Sequence, residues 1–214
     1  MLKLVIFDMD GLMFDTEQIN YRAFTEIVTE EGYHPTFEQY TGFLGMHAKD
    51  IQKKYRIYYG NDVDAEGIYK KVGQRSKQII RKEGVPEKAG LRELLEVVKE
   101  RNLLTAVASG SDAEVIKEYL EETDLASYFD IVLSAKEVKR GKPYPDIFLA
   151  ICEQLNIKVE ETLVLEDSSN GVQAALAGGL PVINVPDLLP IPEEEQKRCI
   201  AVVSDLTQVI PFIK

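Results

Sequence analysis

The run Leu2-Lys3-Leu4-Val5-Ile6-Phe7 reads as a strand with no neighbour close in sequence. It is apolar but for Lys3, and its β-branched and aromatic members favour a buried strand. Everything from residue 16 to about 83 carries helical periodicity, so the strand must find its partners beyond residue 84. A strand apolar on both faces belongs inside a parallel sheet covered by helices. It runs straight into two carboxylates, Asp8 and Asp10. Open α/β sheets bind ligands beyond the carboxyl ends of their strands. Two acids held together there repel unless something compensates, and a hard divalent cation with oxygen ligands is the usual remedy. Alone, Asp-Met-Asp-Gly reads more readily as a polar turn after a strand; the rest of the chain lifts the functional reading.

The insertion between this strand and the remainder reads as four helices, over 17–31, 37–43, 49–59 and 63–83. Ile19, Phe24, Ile27 and Val28 form an apolar stripe on the first, with Thr16 as its cap and Gly32 as its stop. Tyr55, Tyr58 and Tyr59 read as a packing face. From about residue 86, helices (91–101, 112–122, 147–155, 170–177) alternate with strands (103–108, 129–133, 162–165, 181–185, 200–203), and a short helix closes the chain. That alternation predicts an α/β fold with a doubly wound parallel sheet. The predicted division is therefore 1–15 with 84–214 as the α/β core and 16–83 as the helical insertion. Hinges fall near Asp15-Thr16 and Gly84-Val85-Pro86. Pro186, Pro190 and Pro192 stiffen the loop 185–193 at the same sheet edge.

Three further polar clusters follow apolar runs. Ser109-Gly110-Ser111 stands between a strand and a helix, where backbone N–H groups can converge on an oxyanion. The same residues also suit simple N-capping by Ser111 or Asp112. Lys139-Arg140-Gly141-Lys142-Pro143 concentrates positive charge, and Lys142 is held between a glycine and a proline. Glu166-Asp167-Ser168-Ser169-Asn170-Gly171 brings two more acids to a strand end just before a helix. Asp167 can complete an oxygen shell begun by Asp8, with Ser168 supporting a carboxylate.

The net charge of −11 argues against a nucleic-acid binder. It also means that an anionic substrate must be captured by local positive charge. With only His34 and His47, a histidine-rich zinc site is excluded. Cys152 and Cys199 imply no disulfide framework, which fits a reduced, cytoplasmic setting. No stretch has the length and apolarity of a membrane span or a signal peptide.

In order along the chain, Asp8-Met9-Asp10-Gly11, Ser109, Lys142 and Glu166-Asp167 resemble the four motifs of the haloacid dehalogenase superfamily. Gly-Leu-Met-Phe-Asp-Thr-Glu at 11–17, Gly-Lys-Pro-Tyr-Pro-Asp-Ile-Phe at 141–148 and Glu-Asp-Ser-Ser-Asn-Gly at 166–171 resemble its β-phosphoglucomutase-like subgroup. The resemblance implies a Rossmannoid core with a helical cap inserted after the first motif. It implies that Asp8 attacks phosphorus to form an aspartyl-phosphate, and that Asp10 exchanges protons with the leaving group and the attacking water. It also implies Mg²⁺ held by Asp8, the Asp10 main-chain carbonyl and Asp167, with Glu166 as a further contact. Ser109, Gly110 and Lys142 would bind the phosphoryl group.

These implications point to a phosphatase of a small phosphorylated metabolite, with a sugar phosphomutase as the alternative. Three departures weigh against the mutase. Asn20 stands where those mutases carry histidine, His47-Ala48 where they carry Ser-Arg, and Asp112-Ala113 where they carry Lys-Asn. Asn20, Arg22, His47, Lys49 and Arg75 are the polar residues offered by the cap, with Asn20, His47 and Lys49 marked for substrate contact. A monomer is expected, because the cap already covers the site.

Overall fold

A computed structural model describes residues 1–46 and 48–213 of the 214. The chain forms two compact units, Met1–Asp15 with Pro86–Lys214, and Thr16–Val85.

The first unit is built on β1 (Leu4–Phe7), whose four side chains are all buried. It lies at the centre of a six-stranded sheet of order β3-β2-β1-β4-β5-β6, every pair parallel. The other strands are β2 (Leu104–Ser109), β3 (Ile131–Ser134), β4 (Thr162–Glu166), β5 (Val182–Asn184) and β6 (Ala201–Val202). Winding runs outward from β1 to β3, then restarts on the far side with β4. The reversal between β1 and β4 is the switch point at which such sheets open a crevice. Register sets Phe7 beside Val107 and Leu165, so the segments after β1, β2 and β4 leave the sheet at one edge.

Helices α5 (Leu91–Glu100), α6 (Ala113–Glu122), α7 (Asp146–Leu155) and α8 (Ser169–Ala177) supply the crossovers. In α5, Leu91, Leu94, Leu95 and Val98 are buried, an i, i+3, i+4, i+7 stripe. Ile147, Phe148, Ile151, Val172 and Ala175 pack with Leu4, Ile6 and Val164. The predicted strand 129–133 begins later, at Ile131. Phe129 instead sets its ring edge-on to Phe7 at 5.7 Å, and the Asp130 carboxylate accepts from Thr105 N at 2.8 Å. The closing helix is a 3-10 stretch, Leu206–Phe212, with Pro211 inside it. A proline lacks the N–H that a longer α-helix would need there.

Where the chain leaves and re-enters this unit, the two segments are clipped together. Asp15 N donates to Pro86 O at 2.8 Å, Lys88 N donates to Met13 O at 2.9 Å, and Phe14 forms an antiparallel bridge with Glu87.

The second unit contains α1 (Thr16–Glu30), α2 (Phe37–Thr41), α3 (Ala48–Tyr59) and α4 (Ala65–Glu83). Its centre is aromatic: Phe24 lies 5.6 Å from Tyr40, 5.5 Å from Phe43 and 6.2 Å from Tyr55, ring to ring. Helix α4 starts at Ala65, two residues later than its periodicity predicts. The Asp64 carboxylate caps it by accepting from Gly67 N at 2.9 Å. Among the described residues no helix is long and apolar enough to cross a membrane.

Candidate active site

The segment after β1 turns back on itself at once. Gly11, with φ +87°, allows that turn, and Gly11 N donates to Phe14 O at 2.9 Å. Met9, Leu12, Met13 and Phe14 are fully buried, so the turn is anchored by its apolar members. Asp8 and Asp10 therefore stand on a rigid base at the sheet edge. Asp8 N donates to Leu165 O at 3.0 Å, which locks Asp8 against the end of β4.

Lys142 reaches this edge from the segment between β3 and α7; its peptide bond to Pro143 is cis. Its ammonium donates to Asp8 Oδ1, to Glu166 Oε1 and, at 3.0 Å, to Ala108 O. The lysine side chain is 12% exposed, that of Asp8 10% and that of Glu166 0%. Burial by itself would lower the Lys142 pKa, but the facing Asp8 and Glu166 carboxylates more than reverse it and keep the ammonium charged. Burial pushes Asp8 well above the ordinary carboxylate range; Lys142 opposes this, while Glu166 and Asp10 add to it. Asp167 is raised in the same way, by desolvation first and then by Glu166, Asp8 and Asp187. One ammonium cannot balance so many carboxylates, and the edge is left with an excess of negative charge.

Glu166 is committed to lysine and serine. Its second oxygen accepts from Ser168 N at 3.1 Å and Ser168 Oγ at 3.0 Å. A Cβ at Gly171 would overlap its carboxylate, so a glycine in the first turn of α8 makes room for it. Ser168 Oγ in turn caps α8 by accepting from Gly171 N at 3.1 Å. The Asp10 carboxylate accepts from two hydroxyls, Ser109 Oγ at 3.1 Å and Ser111 Oγ at 2.8 Å. Ser109 Oγ also accepts from Ser111 N at 3.0 Å. The Ser109 hydroxyl is thus turned to Asp10, and Gly110 adjoins open space.

Several residues of this edge carry roles that their local sequence does not show. Ser111, expected in an oxyanion turn or as a helix cap, also donates its hydroxyl to Asp10. Asn184, buried in β5, donates to the carbonyls of Glu166 and Asp167 at 2.9 and 3.1 Å and so fixes the path of that turn. Asp187, in the loop after β5, accepts from Lys88 Nζ at 2.6 Å, and Lys88 Nζ stands 3.8 Å from Asp15 Oδ1. Burial raises the Asp187 pKa, and Lys88 only partly offsets the effect. A signal for Asp187 existed: it is an acid directly after an apolar strand, as in the other clusters.

Among the described residues, no three His, Cys, Asp or Glu side chains form a ready-made metal cluster. Glu166 is drawn to Lys142 and Ser168, and the Asp10 carboxylate to its serines. The donors still suited to a hard cation are Asp8, Asp167 and the main-chain carbonyl of Asp10. The surroundings fit such an ion. The Asp167 and Asp187 carboxylates converge on the space beside Gly11 that a Cβ would fill, and Asp187 Oδ2 is buried without a hydrogen-bond partner among the described residues.

Other residues marked for substrate contact lie in the helical unit. Asn20 lines a cavity of about 300 Å³ with Glu17, Phe24, Tyr40, Phe43, Tyr55, Tyr69 and Ser76. Ser76 Oγ is buried there with no hydrogen-bond partner among the described residues. Lys49 is in the first turn of α3. Arg22 is paired with Glu26 and Glu83, and Arg75 with Glu26 and Glu30, so both guanidinium groups are engaged on the surface. His47 lies outside the described residues.

Comparison with known proteins places this geometry in context. Residues 5–185 match the model of a family described as haloacid dehalogenase-like hydrolase. The phosphorylated carbohydrates phosphatase of Thermotoga maritima is 32% identical over 179 residues, covering 84% of this chain and 82% of that protein. The fructose-1-phosphate phosphatase YqaB of Escherichia coli is 29% identical, covering 85% of this chain and 95% of its own length. A crystal structure titled as a putative β-phosphoglucomutase from Thermotoga maritima superposes with a TM-score of 0.82 at 28% identity, covering 99% of this chain and 98% of that one.

Proposed function

The chain belongs to the haloacid dehalogenase-like hydrolases, and from that premise we propose that it is a magnesium-dependent phosphatase of small phosphorylated metabolites. Sugar phosphates and similar phosphomonoesters are its substrate class, in keeping with what its relatives are named for. The observation that carries this reading is the meeting of Asp8, Lys142, Glu166 and Asp167 at the switch point, with more buried negative charge than one ammonium can balance.

On this reading Asp8 is the nucleophile. Lys142 holds one of its oxygens, which orients the other toward an incoming phosphorus. Attack gives an aspartyl-phosphate and expels the alcohol; water then breaks the acyl phosphate and restores Asp8. Asp10, steadied by Ser109 and Ser111, gives a proton to the leaving oxygen and later takes one from the attacking water. Glu166 keeps Lys142 in place. Mg²⁺, held by Asp8, Asp167 and the Asp10 carbonyl, supplies charge neutralisation at the phosphoryl oxygens. Gly110 and the backbone around it leave room for those oxygens.

Residues 16–83 act as the cap, and choice among esters falls to their cavity, through Asn20 and its aromatic walls. The enzyme works as a monomer in the cytoplasm, with Cys152 and Cys199 as free thiols. The test is direct. Purified protein with Mg²⁺ should release phosphate from sugar monophosphates, and a chelator should stop it. If β-glucose 1-phosphate with a trace of the bisphosphate gave glucose 6-phosphate and no free phosphate, the enzyme would be a mutase instead.

A further inference from the structure

One carboxylate oxygen at this edge is unaccounted for by the chemistry above. The Asp187 side chain is 6% exposed, and its Oδ1 accepts from Lys88 Nζ at 2.6 Å. Its Oδ2 is buried with no hydrogen-bond partner among the described residues. A buried, unsatisfied charged oxygen is costly, and a loop residue can ordinarily swing out to water. Lys88 prevents that by pinning the other oxygen, and Lys88 is itself fixed by its N–H to Met13 O.

The direction in which Oδ2 points gives the cost a purpose. It lies 3.2 Å from the position that a Gly11 Cβ would take, and the Asp167 carboxylate enters the same space. Two carboxylates of different loops thus look onto one small space beside the Asp10–Gly11 backbone. The two nearby ammonium groups lie elsewhere: Lys142 on Asp8 and Glu166, Lys88 on Oδ1 of Asp187.

We propose that Asp187 is a positioning residue for the divalent cation, its Oδ2 accepting a hydrogen bond from a water carried by that cation. The inference rests on reading Asp8 and Asp167 as the ligands. Mg²⁺ gives up its waters reluctantly and is bound through one or two carboxylates, so the carboxylates that orient its remaining waters set affinity as well as geometry. Lys88 holds Asp187 in the outer position through its other oxygen, Oδ1.

Titration of metal-free protein with Mn²⁺ alone, followed calorimetrically or by the spin signal of free Mn²⁺, tests this. Asp187→Asn should weaken Mn²⁺ binding about 10- to 100-fold, whereas Lys88→Met, which keeps the carboxylate but frees it from its pin, should weaken it clearly less. The double variant Asp187→Ala/Lys88→Met removes the pair together and should bind as weakly as Asp187→Asn, which covers the case of a single variant that folds poorly. Wild-type affinity in Asp187→Asn or in the double variant overturns the proposal, as does an equal loss in Lys88→Met, which would mark the pair as structural. Asp167→Asn separates the levels. If it binds Mn²⁺ as tightly as the wild type, the ligand assignment falls and takes this inference with it. If it loses Mn²⁺ while Asp187→Asn does not, only the role of Asp187 falls.

Discussion

The two units treat charge in opposite ways. In the helical unit, acids and bases meet on the surface, each base paired with one or two acids: Arg22 with Glu26 and Glu83, Arg75 with Glu26 and Glu30, Lys71 with Glu31. Water screens such pairs, and they add little to stability. At the β1/β4 edge of the α/β unit, Asp8, Glu166, Asp167 and Asp187 are gathered around two lysines, with Asp8 and Glu166 almost wholly out of water. Burial strengthens every interaction there and penalises every imbalance. The contrast teaches where to look for chemistry: charge that is matched and wet holds shape, whereas charge that is buried and in surplus awaits a partner.

Four changes would break or sharpen that contrast. Asp8→Asn should have the largest effect, lowering turnover of p-nitrophenyl phosphate at least ~10⁴-fold with the fold retained by circular dichroism. Persistent turnover would remove Asp8 as nucleophile. Lys142→Met should come next, since it strands two buried carboxylates; urea unfolding should show a loss of about 3–5 kcal/mol.

Asp167→Asn should act in the opposite direction. In chelator it relieves like-charge repulsion and should raise stability by on the order of 1 kcal/mol, while abolishing the stabilisation that Mg²⁺ gives the wild type. The pH dependence carries the same sign. Asp8 and Asp167 hold protons more tightly folded than unfolded, so the metal-free native state binds more protons. The contribution of these two groups to stability is greatest below the ordinary carboxylate range and falls as pH rises from there toward the raised folded values. In Asp167→Asn that fall should be shallower, and an unchanged slope would show that Asp167 carries no such burden. Arg22→Ala, in the helical unit, should be the smallest change, leaving thermal midpoint and p-nitrophenyl phosphate turnover within error. A clear loss of turnover would mean that matched surface charge also serves the reaction.

Much of the edge was legible because each cluster follows an apolar run. In a parallel sheet every strand ends at the same side, so polar residues after strands are brought together whatever their spacing. Asp8, Ser109 and Glu166-Asp167 could be grouped on that ground alone. Asp187 follows β5 by the same rule, but its prolines drew attention to the stiffness of the loop and away from its acid. Lys88 and Asn184 carried no comparable mark. One is a lone lysine in a connecting segment, and the other is an asparagine inside a strand. Their roles exist only through partners 99 and 18 residues away.

What the chain encodes locally is the rhythm of its elements and the chemistry at each strand end, because periodicity and turn residues act over a few neighbours. The insertion of helices after the first strand is visible for the same reason. Which acid the lysine would claim was decided only by the tertiary fold. The register of β1 against β4 sets Asp8 and Glu166 on either side of Lys142 Nζ. The turn at Gly11 leaves Asp167 and Asp187 facing the space beside it. Coulomb energy depends on separation and on exclusion of water, and both are properties of the packed molecule that no linear spacing contains.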